Sequence, residues 1–238
     1  MPRTTQRTPA TGVIMRRAPV LFLHAFPLDA RMWAPQVERF GGAAPTLYRL
    51  GGPSFEEWAR AALAQVDGEV AVVGSSMGGY AALAAARIAP ERVKALVLVG
   101  SRADADTPER RVARNDTIEL LRTRGVEPLW ERLHGQLFSP GAPREVVDRA
   151  RAIALEQRVD DLVRATEAMR DRPDSTEVLR AFAGRLLVVA GDSDPFVPLD
   201  HFEGFVGPEL LHVVQGGGHL VSLERPELVN ALLADVLG

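Results

Sequence analysis

Apolar residues in this chain gather into short unbroken runs separated by longer amphipathic stretches. The runs are "VLFL" (Val20 to Leu23), "VAVV" (Val70 to Val73), "ALVLV" (Ala95 to Val99), "LLVVA" (Leu186 to Ala190) and "LHVV" (Leu211 to Val214). They are rich in Val and Leu and lack polar alternation, the pattern of strands buried on both faces of a parallel sheet. "TLYR" (Thr46 to Arg49) is a weaker strand candidate. Several intervening segments carry helical signals. Ser54 to Glu57, "SFEE", reads as a capping box ahead of apolar positions at helical spacing. In "ERPELVNALLADVL", Pro226 stands early in a closing helix, where a missing N–H costs little. Strand alternating with helix predicts an α/β fold with a mostly parallel sheet.

One segment interrupts that rhythm. From about Ala103 to Arg172 no strand run occurs, and the residues fit amphipathic helices punctuated by Pro108, Pro128 and the Pro140–Pro143 turn. The stretch is too long for a single crossover. It predicts a helical insertion, residues 103–172, between two parts of one core, residues 1–102 and 173–238.

Composition narrows the function classes. In 238 residues, 28 basic and 31 acidic side chains leave a net charge of -3, which argues against nucleic acid or an anionic membrane as a main partner. The absence of cysteine excludes disulfides, thiolate metal sites and a cysteine nucleophile. No two histidines stand at ligand spacing, so no metal is expected. The opening "MPRTTQRTPATG" carries Arg3 and Arg7 without an apolar stretch behind them. It is expected to be a disordered tail and not a secretory signal, although its basic, acid-free character also fits a transit peptide. With no apolar run long enough to span a bilayer, a cytoplasmic location is expected.

The chemistry begins at "GSSMGG", residues 74 to 79. Gly74-Ser75-Ser76-Met77-Gly78 is G-x-S-x-G, directly after a predicted strand and before a predicted helix, the context of a nucleophile elbow. Such a turn lifts the Ser76 side chain above the sheet and leaves Ser75 facing away. A chance match in a Gly-rich turn is the alternative, and the flanking strand and helix weigh against it. A serine hydroxyl needs a base, and the base an orienting acid, in the chain order Ser, acid, His. "GDSDPFVP" follows the "LLVVA" run and "QGGGHLVSLERPE" follows "LHVV", so Ser76, Asp194 and His219 stand in that order on strand-end loops. Asp192 and Asp104 are alternative acids. His134, His201 and His212 read as structural or surface residues. In "LFLHAFPLDARMW" the Phe26 N–H is positioned to join the Met77 N–H as an oxyanion donor, with Pro27 fixing the turn. His24 is expected to brace that loop.

These motifs resemble the α/β-hydrolase superfamily from about Val20 to the C-terminus. "HAFPLD" is similar to its oxyanion loop, "GSSMGG" to its elbow, "GDSDPFVP" to its acid loop and "GGGHLVSLERPE" to its histidine loop. "EAMRDRPDS" is similar to small bacterial members near the 3-oxoadipate enol-lactonase and carboxylesterase groups. The resemblance implies an α/β-hydrolase fold with a helical cap over residues 103–172. It also implies a cofactor-free serine hydrolase acting on a small-molecule ester or lactone. The chain departs from the pattern in three places. Only about twenty residues precede the oxyanion loop, with "GVIM" the one further strand candidate, so the first part of the sheet is expected to be short or missing. Ala25 replaces the usual glycine, and "APTLYRLGGPS" is a trimmed form of the usual strand and loop.

For the substrate pocket, Phe196 and Leu220 are candidates because each lies beside a triad residue. Leu129, Trp130, Leu133, Leu137 and Phe138 lie at helical spacing and either line an acyl pocket or pack the cap onto the core. No cluster of arginines is visibly aimed at the site, so a charged substrate is not demanded. Two other classes remain open. One is different chemistry by the same triad, perhydrolysis or C–C hydrolysis; dehalogenation needs an aspartate nucleophile and is excluded by Ser76. The other is a non-catalytic small-ligand sensor, against which an intact triad argues.

Overall fold

Five parallel strands form one sheet whose spatial order repeats their order along the chain: β1 (Val20–Leu23), β2 (Val70–Ser75), β3 (Val93–Val99), β4 (Arg185–Gly191) and β5 (Leu211–Val214). The computed structural model describes residues 18–204 and 206–237. The N-terminal tail and the "GVIM" strand candidate lie outside the described residues.

The unbroken apolar runs have a direct cause. Along each strand, alternate side chains enter two different cores. Leu21, Val72, Leu96 and Val188 face one of them. Phe22, Val73, Val97 and Val189 face the other. With helices on both faces, neither set of alternating positions meets water, so neither is polar. The first core is closed by α2 (Phe55–Leu63) and α3 (Met77–Ile88). The second lies against α1 (Ala34–Phe40) and α10 (Pro226–Leu237). The α2 helix starts at the predicted capping box, where Ser54 Oγ accepts from the Glu57 N–H and the Glu57 carboxylate accepts from the Ser54 N–H.

Between β3 and β4 come four long helices and one short one. They are α4 (Pro108–Arg124), α5 (Val126–Leu137), α6 (Arg144–Leu155), α7 (Val159–Asp171) and α8 (Thr176–Arg180). Helix α4 packs on α7 and α5, α5 packs on α6, and α7 rests on the 3-10 turn Leu47–Arg49. After β5, the short α9 (Val221–Glu224) leads into α10. Among the described residues no helix is long and apolar enough to cross a membrane.

"TLYR" is not a strand. Leu47–Arg49 is a 3-10 turn, and the extended residue is Ala43, bridged to Leu21. Ala43 donates to Val20 O at 2.9 Å and accepts from the Phe22 N–H at 2.8 Å. Pro45, two residues on, has no N–H with which to extend the ladder.

The loop after β1 is held by a buried histidine. The His24 ring accepts from the Leu47 N–H at 2.8 Å through Nε2 and donates to Ala25 O at 3.0 Å through Nδ1. Burial is the main influence on the ring and pushes its pKa from 6.5 down to about 4, against a smaller upward pull from the Ala25 carbonyl. Between those two values the unfolded chain binds a proton that the folded chain refuses. Stability from this group is therefore whole above pH 6.5 and is lost as the pH falls towards 4, by at most roughly 3 kcal/mol. We expect the urea midpoint to fall between pH 7 and pH 4.5 less steeply in His24→Gln than in the wild type. Equal slopes would assign the acid sensitivity to other groups.

Candidate active site

The G-x-S-x-G segment forms a turn that few residue types tolerate. Ser76 has φ 50°, and among the described residues it is the one non-glycine with positive φ. The turn closes because its neighbours have no side chains. A Cβ on Gly74 would stand 2.3 Å from Gly78 O, and one on Gly78 would stand 2.0 Å from Leu23 O. Ser101 Oγ donates to Ser76 O at 2.8 Å and ties the elbow to the end of β3. Ser75 is fully buried, away from the site cavity.

Three loops at the C-terminal edge of the sheet bring distant residues into contact. Ser76 Oγ lies 2.7 Å from His219 Nε2, and His219 Nδ1 lies 2.8 Å from Asp194 Oδ2. The other carboxylate oxygen of Asp194 accepts from the Phe196 N–H at 2.8 Å and the Val197 N–H at 3.3 Å. Each oxygen therefore has its own task, and the carboxylate cannot swing away without losing two backbone bonds. The Phe196 ring lies against the imidazole, with centroids 4.8 Å apart. Gly100, at φ 53°, passes beside this pair: a Cβ there would meet His219 O at 2.6 Å and Asp194 Oδ2 at 3.4 Å. Phe26 N–H and Met77 N–H each lack a protein acceptor among the described residues.

The alternative acids are committed elsewhere. Asp192 accepts from the Gly216 N–H at 2.8 Å. Asp104 is gripped by Arg102 and Arg110, at 2.8 and 2.7 Å. Although burial raises its pKa, the hydrogen bonds from those two arginines hold it well below the usual carboxylate range. His201 sits 3.9 Å from Asp104, and burial, helped by Arg102, lowers its pKa. Among the described residues no group of His, Asp and Glu is arranged to hold a metal ion.

A cavity of about 80 Å³ opens over Ser76 and His219. Of the pocket candidates, Phe196, Leu133 and Leu137 line it together with Phe26. Trp130, Leu129 and Phe138 do not: Trp130 is 2% exposed and packs against the rings of His134 and Phe138. Leu220 is also absent from the cavity wall, because its side chain points into the core shared with α10. Residue 219 faces the serine, and its neighbour turns the opposite way.

Sequence reading missed Tyr80, Thr117 and Met169 in the cavity wall. It also discounted arginines, and the structure corrects this: Arg102 and Arg114 both line the cavity. Arg102 could have been found, since it lies just beyond the C-terminal end of β3, at the functional edge of such sheets. Arg114 sits inside the charged run "ERRVARND", which gives no sign of which arginine turns inward.

Glu224 was missed as well. It is 4% exposed, and its Oε1 accepts from the Gly218 N–H at 3.1 Å and the Ser139 N–H at 3.2 Å. The Ser139 hydroxyl donates to Oε2. The Leu220 N–H donates to Leu137 O at 2.9 Å. The histidine loop is thus stapled to the end of α5.

With this geometry the chain can be placed among known proteins. A sequence profile described as the alpha/beta hydrolase family matches residues 20–232. The chain belongs to the alpha/beta hydrolase family. A 2-hydroxy-6-oxononadienedioate/2-hydroxy-6-oxononatrienedioate hydrolase of Paraburkholderia phymatum is 31% identical over 184 residues, 70% of this chain and 62% of that protein. The match therefore spans less than two thirds of that relative's length. A thermophilic esterase from Thermogutta terrifontis, solved with malate bound, superposes with TM-score 0.84 at 30% identity, over 92% of this chain and 88% of that one. The enol-lactonase from Burkholderia xenovorans LB400 shares the fold at TM-score 0.71 and 19% identity, over 92% and 91% of the two chains.

Glu224 gives a test of this geometry. Glu224→Ala removes the acceptor for two N–H groups and a hydroxyl, and we expect a loss of about 3 kcal/mol, or a fall of roughly 6–12 °C in Tm. Glu224→Gln keeps a carbonyl for the two N–H groups and offers the hydroxyl an N–H, so its Tm should drop by less than half as much. Thermal unfolding of both variants checks the ordering.

Proposed function

We propose that this hydrolase cleaves a carboxylic ester or lactone through an acyl-enzyme formed on Ser76. The observation that carries the reading is the continuous contact from Ser76 Oγ to His219 at 2.7 Å and on to Asp194 at 2.8 Å. His219 takes the hydroxyl proton as Ser76 attacks the carbonyl carbon. Asp194 fixes the tautomer with Nε2 towards the serine and steadies the imidazolium that forms. Charge on the tetrahedral oxygen is met by the N–H groups of Phe26 and Met77, the second reinforced by the N-terminus of α3. The proton then passes from His219 to the leaving alcohol. Water, activated by the same ring, releases the acid and restores Ser76. In this reading residues 103–172 act as a cap that shapes substrate choice over the core, with Phe196 and Leu133 in the pocket wall.

A second reading has one specific support. The Paraburkholderia phymatum relative is named for hydrolysis of a 2-hydroxy-6-oxo-dienedioate, so the same triad here is open to C–C cleavage.

Two measurements test the role of Ser76 and a third separates the two readings. A fluorophosphonate should label the wild type once, and intact-mass analysis with peptide mapping should place the adduct on Ser76. Ser76→Ala should abolish labelling and lower kcat for p-nitrophenyl esters by about a thousandfold or more. Ester turnover that survives in Ser76→Ala, or a label on another residue, overturns the proposal. Turnover of a 2-hydroxy-6-oxo-dienoate at a higher kcat/KM than every ester would favour the second reading.

A further inference from the structure

The cavity over Ser76 is small, but it does not end at Leu133. A second cavity of about 350 Å³ adjoins it between α4 and α5. The two share four wall residues, Arg114, Thr117, Leu133 and Phe196, so they adjoin at these side chains and together make one candidate passage to the serine. The inner cavity alone is too small for a metabolite-sized ligand, whereas the outer one already falls in the ordinary range of binding sites.

The passage is unusually cationic. Arg102 lines its inner part, Arg114 the junction, and Arg110 and Arg132 the outer part. Behind them Arg172 stacks over Tyr80, its guanidinium carbon 3.9 Å from the ring centroid. Against these five guanidiniums stand three carboxylates outside the triad: Asp104, Asp106 and Asp116. Four of these guanidiniums and one of the carboxylates, Asp116, line the walls themselves, while Arg172, Asp104 and Asp106 lie behind them; where such walls are screened from water a field acts most strongly on an entering ion.

The arginines are not equally available. Arg102 is pinned, with Nε and Nη2 each 2.8 Å from Asp104 and Nη1 donating to Phe196 O at 3.1 Å. Arg110 grips Asp104 as well. Arg114 differs. Its Nε donates to Asp106 Oδ2 at 3.0 Å, and both of its Nη groups lack a protein acceptor among the described residues. Asp106 itself is fully buried and also held by Arg172 at 2.7 Å, so it anchors the Arg114 stem without neutralising the outward end. The result is a partly buried, oriented guanidinium with a free edge at the neck of the passage, the geometry that receives a carboxylate through two parallel hydrogen bonds.

We propose that the substrate carries a carboxylate remote from the carbonyl under attack, and that Arg114 binds it at the junction of the two cavities. Arg132, on the rim, draws the anion in. This rests on the hydrolytic reading above and adds the substrate class to it. An apolar acyl chain would leave the Arg114 Nη groups desolvated and unpaired; a carboxylate satisfies them.

The test compares two esters of the same shape. Mono-p-nitrophenyl glutarate and p-nitrophenyl 5-methylhexanoate differ in carrying a carboxylate or an isopropyl group at the far end of the acyl chain. The ratio of their kcat/KM values in wild type should favour the glutarate by about tenfold or more at low salt and shrink as ionic strength rises. Arg114→Gln should cut that ratio at least tenfold, mainly through KM for the charged ester, and Arg114→Lys should restore part of it. A ratio near one in the wild type, or one unmoved by Arg114→Gln, overturns the proposal. Should Arg114→Gln fail to fold, Arg132→Gln on the exposed rim should still reduce both the ratio and its salt dependence, and an unchanged ratio and salt response there count against the proposal. If neither ester is turned over, the hydrolytic reading fails. Calorimetric binding of free glutarate to the wild type, absent in Arg114→Gln or Arg132→Gln, then decides the carboxylate site by itself.

Discussion

The site depends on one backbone constraint, the positive φ of Ser76. A serine at φ 50° is strained, and the strain persists only because the surroundings leave no alternative. Gly74 packs on the backbone of Gly78, Gly78 packs on the backbone of Leu23, and Ser101 holds the Ser76 carbonyl. These contacts join the ends of β1, β2 and β3 at one point. The loop after β1 and the turn after β2 are therefore fixed relative to each other by backbone contact, with no side chain between them. The two N–H groups of Phe26 and Met77 inherit their relative position from that junction.

Much of this was legible from the sequence, for reasons that can be named. The strands were readable because each buries both faces, which leaves Val, Leu and Ala without polar interruption. The elbow was readable because its glycines answer to steric limits that no other residue meets. Asp194 and His219 were readable because each follows a strand on a loop with unusual glycine or proline content. What escaped was side-chain direction away from strand ends. Leu220 is adjacent to the histidine in sequence and lies on the opposite side of the loop in space. Trp130 has the right helical spacing and the wrong rotational position. Arg114 is one of several arginines in α4, and only the packing of α4 against α5 and α7 selects which of them reaches the cavity. "TLYR" looked like a strand by composition, yet the pairing stops at Ala43, ahead of Pro45, and Leu47–Arg49 coils into a 3-10 turn.

The buried polar contacts share a common theme: they link the helical segment to the loops of the sheet. Glu224 ties Ser139 to Gly218, beside the histidine. Gln157 donates to Asp29 at 2.9 Å, joining the end of α6 to the loop after β1. The Arg172–Asp106 ion pair is different: it closes the two ends of the helical segment on each other. A buried carboxylate such as Glu224 is costly unless hydrogen-bonded, and both of its oxygens accept hydrogen bonds here. The helices are thereby registered against the His219 loop and the loop after β1 by directional contacts as well as by apolar packing.

The order of the strands carries a wider implication. Because spatial order follows chain order, the serine strand and the acid strand are separated by one neighbour, β3, and the long helices leave from the end of that neighbour. The helices threaded between β3 and β4 supply much of the wall of the cavity over Ser76. A lineage could exchange that one stretch of polypeptide wholesale, altering the cavity wall, while the sheet and the contact from Ser76 to His219 and Asp194 beneath stayed as they are.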